Sequence, residues 1–281
     1  MVKHLPPAIK QLLSLRNPNS FPSPPISKLH GVLSSTWNDA KQRRAETGWL
    51  VLATCTLLTT NRPSSVGHLY RFATRSEPET ASSRRSVSES VHKAAIMRES
   101  AMKSAIFVGV PRTILSLAAL TDALEDDVRA GLRKESRRTG TPENIEAINA
   151  RGMALWESIY QPHAAKLHDK LGSYHPDFIA FIIQSYGSVL APLPGGDQEQ
   201  GNLSRALGSV VGSACLRAEG RVGPQLISHV FGLLKARDEA NQSDEDRWLS
   251  SDEGAEWVVR TVDNLVDVVT SDAEGDVLAK L

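Results

Sequence analysis

Residues 95–117 read AIMRESAMKSAIFVGVPRTILSL, apolar at helical spacing yet interrupted in the middle by Gly109 and Pro111. A proline inside a helix removes an amide donor and clashes with the preceding turn, at about 3 kcal/mol, and glycine costs about 1 kcal/mol relative to alanine. The stretch therefore predicts two helices, broken at 109–111 and resumed from Arg112 to about Leu124. The same period continues along the chain. A helix pair is expected over about 30–60, then helices at 63–74, 142–171, 176–190, 202–218 and 224–236. The last opens at SSDEGAEW and ends near Val269, with Val258, Val262, Leu265, Val266 and Val269 on one face. Pro63, Pro142 and Pro224 sit where helices begin, and Thr141 is placed to cap the one at 142. No segment alternates apolar and polar residues as a strand does. The expected fold class is all-α.

Lys plus Arg equals Asp plus Glu at 32 each, so no basic surplus points to nucleic acid and no acidic surplus to a solvating tail. The longest apolar run, residues 49–58, contains threonines and is too short to span a bilayer. No membrane and no nucleic-acid partner is expected. The two cysteines, Cys55 and Cys215, lie far apart in apolar helical patterns, which leaves no Cys-x-x-Cys redox or zinc motif. Neither a metal nor a cofactor is indicated. Before Asp39, the first acidic residue, stand Lys3, Lys10, Arg16 and Lys28 among leucines, serines and prolines. That charge bias is like a mitochondrial presequence, but Pro6, Pro7 and NPNSFPSPP break any long amphipathic helix.

The chain repeats a pattern. Arg44-Ala45 opens an apolar helix containing Cys55, a turn with Arg62 and Pro63 follows, and then His68-Leu69-Tyr70. Arg205-Ala206 opens a helix containing Cys215, a turn with Arg221 and Pro224 follows, and then His229-Val230-Phe231. The order predicts two tandem, pseudo-symmetric repeats. The division expected is an extended arm at 1–30, a first repeat at 31–125, a linker and helix start at 126–149, a second repeat at 150–270 and a flexible tail at 271–281.

RESAMKSAIFVGVPRTILSLAAL, with Glu99, Phe107, Gly109, Val110 and Pro111, resembles the C-terminal helix pair of the carboxymuconolactone decarboxylase and AhpD-like superfamily. Arg151-Gly152, Asp177-Phe178, Tyr186-Gly187, Gly220-Arg221, Gln225-Leu226 and His229 are similar to its front half. The resemblance implies an AhpD-like helical bundle in which Gly-x-Pro is a tight joint between two core helices. It also implies a homo-oligomer, with apolar faces exposed at SAIFVGVP and FIAFIIQSYG. AhpD-type disulfide reduction uses Glu-x11-Cys-x-x-Cys-x-x-x-His. Here the cysteine positions are Val222 and Gln225 before His229, and Asn61 and Ser64 before His68. Two thiols are needed to cycle between dithiol and disulfide, so that peroxidase chemistry is excluded.

The proton-relay half of the motif is better kept. Glu46 with His68 is the fuller candidate pair, His229 the second candidate, and Cys55 and Cys215 are expected beside their histidines. A Glu–His pair in an apolar pocket can move protons on a small organic acid, lactone or peroxide-derived metabolite. Each marker has a plain alternative: Glu46 as a first-turn acid on the helix dipole, the histidines as structural donors, the cysteines as small packing residues. The function expected is a proton-relay enzyme acting on a small-molecule substrate, the alternative being a binding or structural protein that retains the fold. The chain ends Ala279-Lys280-Leu281, the small-basic-leucine form of the peroxisomal signal. Together with the resemblance to fungal-type peroxisomal members, it predicts an import receptor as partner and the peroxisome matrix as destination, with the mitochondrion as the alternative.

Overall fold

A helix with no polar stripe has to be surrounded by protein. ETGWLVLATCTLLT is such a helix, and it forms α3 (Glu46–Thr59), buried continuously from Gly48 to Thr59. The computed structural model describes residues 4–15 and 18–278, with the backbone alone for 272–278. The tripeptide Ala279, Lys280, Leu281 lies outside the described residues, as do Lys3 and Arg16 of the basic arm. Inside α3 the hydroxyls of Thr54, Thr56 and Thr59 each donate to the carbonyl four residues earlier at 2.7 Å, so the polar atoms enter the core already partnered.

The fold is all-α. Among the described residues fourteen α-helices form, and the one β-type pairing is an isolated bridge between Arg75 and Arg84. The first half comprises α1 (Pro7–Ser14), α2 (Ile26–Arg43), α3, α4 (Pro63–Thr74), α5 (Val87–Val108), α6 (Val110–Ala123) and α7 (Asp126–Gly131). The second comprises α8 (Ile145–Tyr160), α9 (Ala164–Tyr174), α10 (Phe178–Ser185), α11 (Arg205–Glu219), α12 (Gly223–Lys235), α13 (Asp244–Leu249) and α14 (Asp252–Leu278). A π-helical turn, Tyr186–Leu190, continues α10.

The joint expected at Gly109 is there: α5 ends on it, its φ is +85°, and α6 starts at once with Pro111 in the first turn, where no amide partner is lost. Elsewhere the expected boundaries shift. The helix predicted over 142–171 is two, because Pro162 stops α8 at Tyr160. Its start moves from Pro142 to Ile145, since the Asn144 side chain accepts from the Thr141 amide at 2.8 Å and closes a turn first. The last helix runs to Leu278 and not to Val269, so the residues after 270 do not begin as a loose tail. The arm is also shorter than 1–30. α2 begins at Ile26, and the segment before it is fastened to the α3–α4 turn by Phe21 N–H donating to the Asn61 carbonyl (3.1 Å) and by the Ser23–Ser65 hydroxyl pair (2.7 Å).

α3 and α11 pack side by side in the middle, and the flanking helices cross over: α5 also packs on α11, and α14 also packs on α3. One core cluster consequently runs from Leu29 to Val269 through both halves. A smaller cluster gathers α8, α9, α10 and the π turn around Trp156, Ile159, Ile183, Tyr186 and Leu190. There α8 and the π turn cross at two glycines. A side-chain carbon on Gly152 would stand 2.0 Å from the Ile183 carbonyl oxygen, and one on Gly187 1.8 Å from that of Ile148. The end of the π turn is held by Lys103 of α5. Its Nζ, fully buried, donates to the carbonyls of Val189, Leu190 and Ala191 at 3.1, 2.8 and 2.9 Å. Burial lowers the Lys103 pKa to about 8, with the Glu99 carboxylate 3.4 Å away opposing that shift.

Candidate functional site

The crossing of α8 with the π turn sets two tyrosines against α12. Tyr160 ends α8 and Tyr186 opens the π turn, and their hydroxyls are 3.0 Å apart. The Tyr186 hydroxyl lies 3.5 Å from Nε2 of His229, the outer limit of a hydrogen bond. The imidazole is buried, edge-on to Phe107 at 5.0 Å between centroids, and it lies over Gly212 of α11. Behind it, Leu155, Ile159, Leu190, Pro192 and Arg205 close a crevice with no room for a water molecule. Burial, and then the Arg205 charge, pull the His229 pKa down to about 4, so the ring is neutral at pH 7. Burial is likewise the main cause that raises both tyrosines.

The polarity of this chain follows from its one orphan. Nδ1 of His229 is buried without a partner, and an unpaired lone pair is less costly there than an unpaired N–H. That assigns the proton to Nε2, which donates to Tyr186; Tyr186 donates to Tyr160, and the Tyr160 O–H is the last donor. Tyr160 also lines an open pocket of about 420 Å³ between α8, α9 and α12. Its walls are apolar at Ile159, Pro162, Leu167 and Phe231. Its charged residues are Lys166, Lys170 and Lys235, with His163 beside them and no carboxylate in the lining. Lys235 is held by the carbonyls of Ile159 and Gln161, both at 2.6 Å, while Lys166 and Lys170 stand exposed at the mouth.

The structure does not bring Glu46 and His68 together. Glu46 is the first residue of α3, about 20 Å by helical rise from the end where α4 begins, and His68 is only about 8 Å into α4. No hydrogen bond or ion pair joins them. The α3 N-terminus is served by Glu245 of α13, whose carboxylate accepts from the Gly48 amide at 2.7 Å. His68 is half-buried, with its pKa lowered first by burial and then by Arg71, and with Glu79 and His30 as its other charged neighbours. The acid/base pair expected from Glu46 and His68 is therefore withdrawn, because the motif spacing says nothing about which ends of two antiparallel helices are level.

The cysteines are also placed differently from expectation. Neither thiol has a histidine among its hydrogen-bond partners. They meet each other across the α3–α11 contact, with the Ser104 hydroxyl 3.4 Å from Cys55 Sγ and 3.3 Å from Cys215 Sγ. Both are free thiols with no exposed surface. Burial, and then the adjacent Cys215, push the Cys55 thiol well up, which is the opposite of an activated thiolate.

The site residues that sequence reading missed are Tyr160 and its partner role with Tyr186. A signal existed, since Trp156 and Tyr160 are one helical turn apart and stack at 4.2 Å. Among the described residues no cluster of His, Cys, Asp and Glu is arranged to hold a metal ion, and no helix is long and apolar enough to cross a membrane. Compared with family models, curated proteins and solved structures, the chain matches none.

Proposed function

We propose that the chain binds a small apolar carboxylic acid in the pocket between α8, α9 and α12, without itself transforming it. One observation carries this: the pocket is walled by Ile159, Leu167 and Phe231, ringed by three lysines and His163, and contains no acidic residue. A hydrocarbon or aromatic body would lose its hydration against the walls while the carboxylate stays near the ammonium groups. At His229 the features are those of a binding scaffold: a dry crevice, a neutral ring and tyrosines firmly protonated.

A second reading, proton transfer to the same acid, is favoured by the Tyr160–Tyr186–His229 chain, which ends at a residue of the pocket wall. It replaces the Glu46–His68 relay with groups that do meet. The AhpD-like reading of the fold, and with it the tandem repeat, belongs to the same proposal. What supports it is the Gly109 joint and the crossing over of α5 and α14 onto the other half's central helix.

Titration calorimetry of the full chain with benzoate and hexanoate against the corresponding amides tests the binding. The acids are expected to bind at least about tenfold more tightly, a difference of about 1.4 kcal/mol, and Lys166→Gln with Lys170→Gln is expected to erase the gap. Equal affinity of acid and amide refutes the proposal. Deuterium uptake at the carbon next to the carboxylate, followed by NMR in heavy water, separates the two readings, since only the second predicts protein-dependent uptake.

A further inference from the structure

A second concavity, independent of that pocket, is an open cleft of about 340 Å³ between α5, the middle of α6 and the non-helical segment after α7. The segment contributes Arg133, Lys134, Glu135, Arg137 and Arg138, and α5 contributes Arg98 and Glu99. Five cations thus face two carboxylates. Glu99 is already shared between Lys103 and Arg138, and Arg137 is taken by Glu199 at 3.1 Å. Among the described residues Arg98, Arg133 and Lys134 form no ion pair, although the Glu99 charge also acts on Arg98.

What holds these three in place is neutral backbone. Arg98 Nη1 donates to the Arg133 carbonyl (3.4 Å), Arg133 Nη1 to that of Glu135 (2.6 Å) and Lys134 Nζ to that of Arg129 (2.6 Å). The segment itself is fixed by Gln200, which accepts from the Arg133 amide at 2.8 Å and donates to the Gly131 carbonyl at 2.9 Å. Like charges are therefore gathered and oriented in excess of the two carboxylates in the cleft. Burial, followed by the Arg133 charge, lowers the Arg98 pKa.

We infer that this cleft binds a phosphate group, carried as the monoester of a small organic alcohol or as free phosphate. Three cations held only by backbone carbonyls call for an acceptor with more than one negative charge and more than two oxygens, which a phosphate has and a single carboxylate lacks. The remaining wall, Ala95, Met102 and Leu117, is apolar and gives an ester's organic part a surface to cover. Glu135 lies on the rim and opposes the anion.

Calorimetry of the full chain carrying Lys166→Gln and Lys170→Gln, which weaken the lysine-ringed pocket, with phenyl phosphate, inorganic phosphate and benzoate at constant ionic strength set with sodium chloride, tests this. Phenyl phosphate is expected to bind at least about tenfold more tightly than benzoate. Arg98→Gln and Arg133→Gln are each expected to weaken it about tenfold, and Glu135→Gln to tighten it about twofold. Arg260→Gln, an exposed substitution on α14, serves as the unchanged control. A preference for phenyl phosphate over inorganic phosphate assigns the cleft to an ester, and equal affinity assigns it to the free ion. Phosphates no tighter than benzoate, or Arg98→Gln and Arg133→Gln variants that bind like the chain they are made in, overturn the inference. Arg98, though partly desolvated by its neighbours, and Glu135 are exposed, so their substitution leaves the core intact, and urea unfolding of the Arg133→Gln chain, whose substituted residue is half-buried, keeps that comparison readable.

Discussion

Acidification should destabilise this protein through His229 in particular. In the folded chain the ring titrates at about 4, held down by burial and by Arg205, whereas in the unfolded chain it returns to about 6.5. Between those two values the unfolded state binds a proton that the folded state excludes, so stability falls as pH drops through 6.5 towards 4. At 1.36 kcal/mol per pH unit the separation amounts to about 3 kcal/mol by pH 4. The ring is almost wholly buried, so solvent screening does not reduce the figure much. The groups facing it are Arg205, Tyr160 and Tyr186, none of which titrates in that window, and Arg205 is 4.0 Å from Glu239. Urea unfolding of the unmodified chain and of His229→Gln at pH 7, 6, 5 and 4 reads the effect directly. The variant begins less stable, having lost its contact with Phe107 and Tyr186, and the gap should close by about 3 kcal/mol towards pH 4. Carboxylates common to both chains cancel in the difference. A gap constant to within about 0.5 kcal/mol from pH 7 to pH 4 would mean that the imidazole is reached by water, and the neutral-relay polarity drawn from Nδ1 would go with it.

Replacing Lys103 with Met should cost about 3 kcal/mol or more in the same assay at pH 7, because the Val189, Leu190 and Ala191 carbonyls lose their shared donor in a dry site. A loss below about 1 kcal/mol would show that the end of the π turn is held by other means. The exposed apolar residues Val110 and Ile114 of α6 and Phe178 and Phe181 of α10 predict self-association, as the expected homo-oligomer requires. Light scattering at micromolar concentration should give at least a dimer, and a monomer there would dismiss it.

Thr141 and Pro142 marked a start that the Asn144 turn delays to Ile145, but the starts at Pro63 of α4, Pro111 of α6 and Pro224 of α12 were readable. The six-residue helices α7 and α13 were not, since a turn and a half is too short to show a period. α13 matters nonetheless, because it brings Glu245 to the α3 N-terminus and takes the position that a motif-based reading reserves for Glu46. Within the candidate site, His229 could be singled out from its place after the turn at Arg221 and Pro224. Its partners could not, because Tyr160 and Tyr186 reach it only through the tight crossing at Gly152 and Gly187, a contact between segments far apart in sequence. The two cysteines give the same lesson in reverse. Their matched positions were visible, but that they would meet each other, and not their histidines, depends on the packing of α3 against α11.

That packing has a consequence for how the chain is made. α3 is apolar on every side, and one of the helices that covers it, α11, ends roughly 160 residues later. At a synthesis rate of about 5–20 residues per second, α3 is complete roughly 8–30 s before α11 can reach it. Throughout that interval the emerging first half carries an uncovered face around Cys55, sticky to other nascent chains and to chaperones alike. The second half has its own small cluster around Trp156 and Tyr186, but α11 and α14 find their core only by docking on the first half. Burial of the central core thus waits for α11, and a truncation anywhere before α11 should yield aggregate in place of a smaller folded domain.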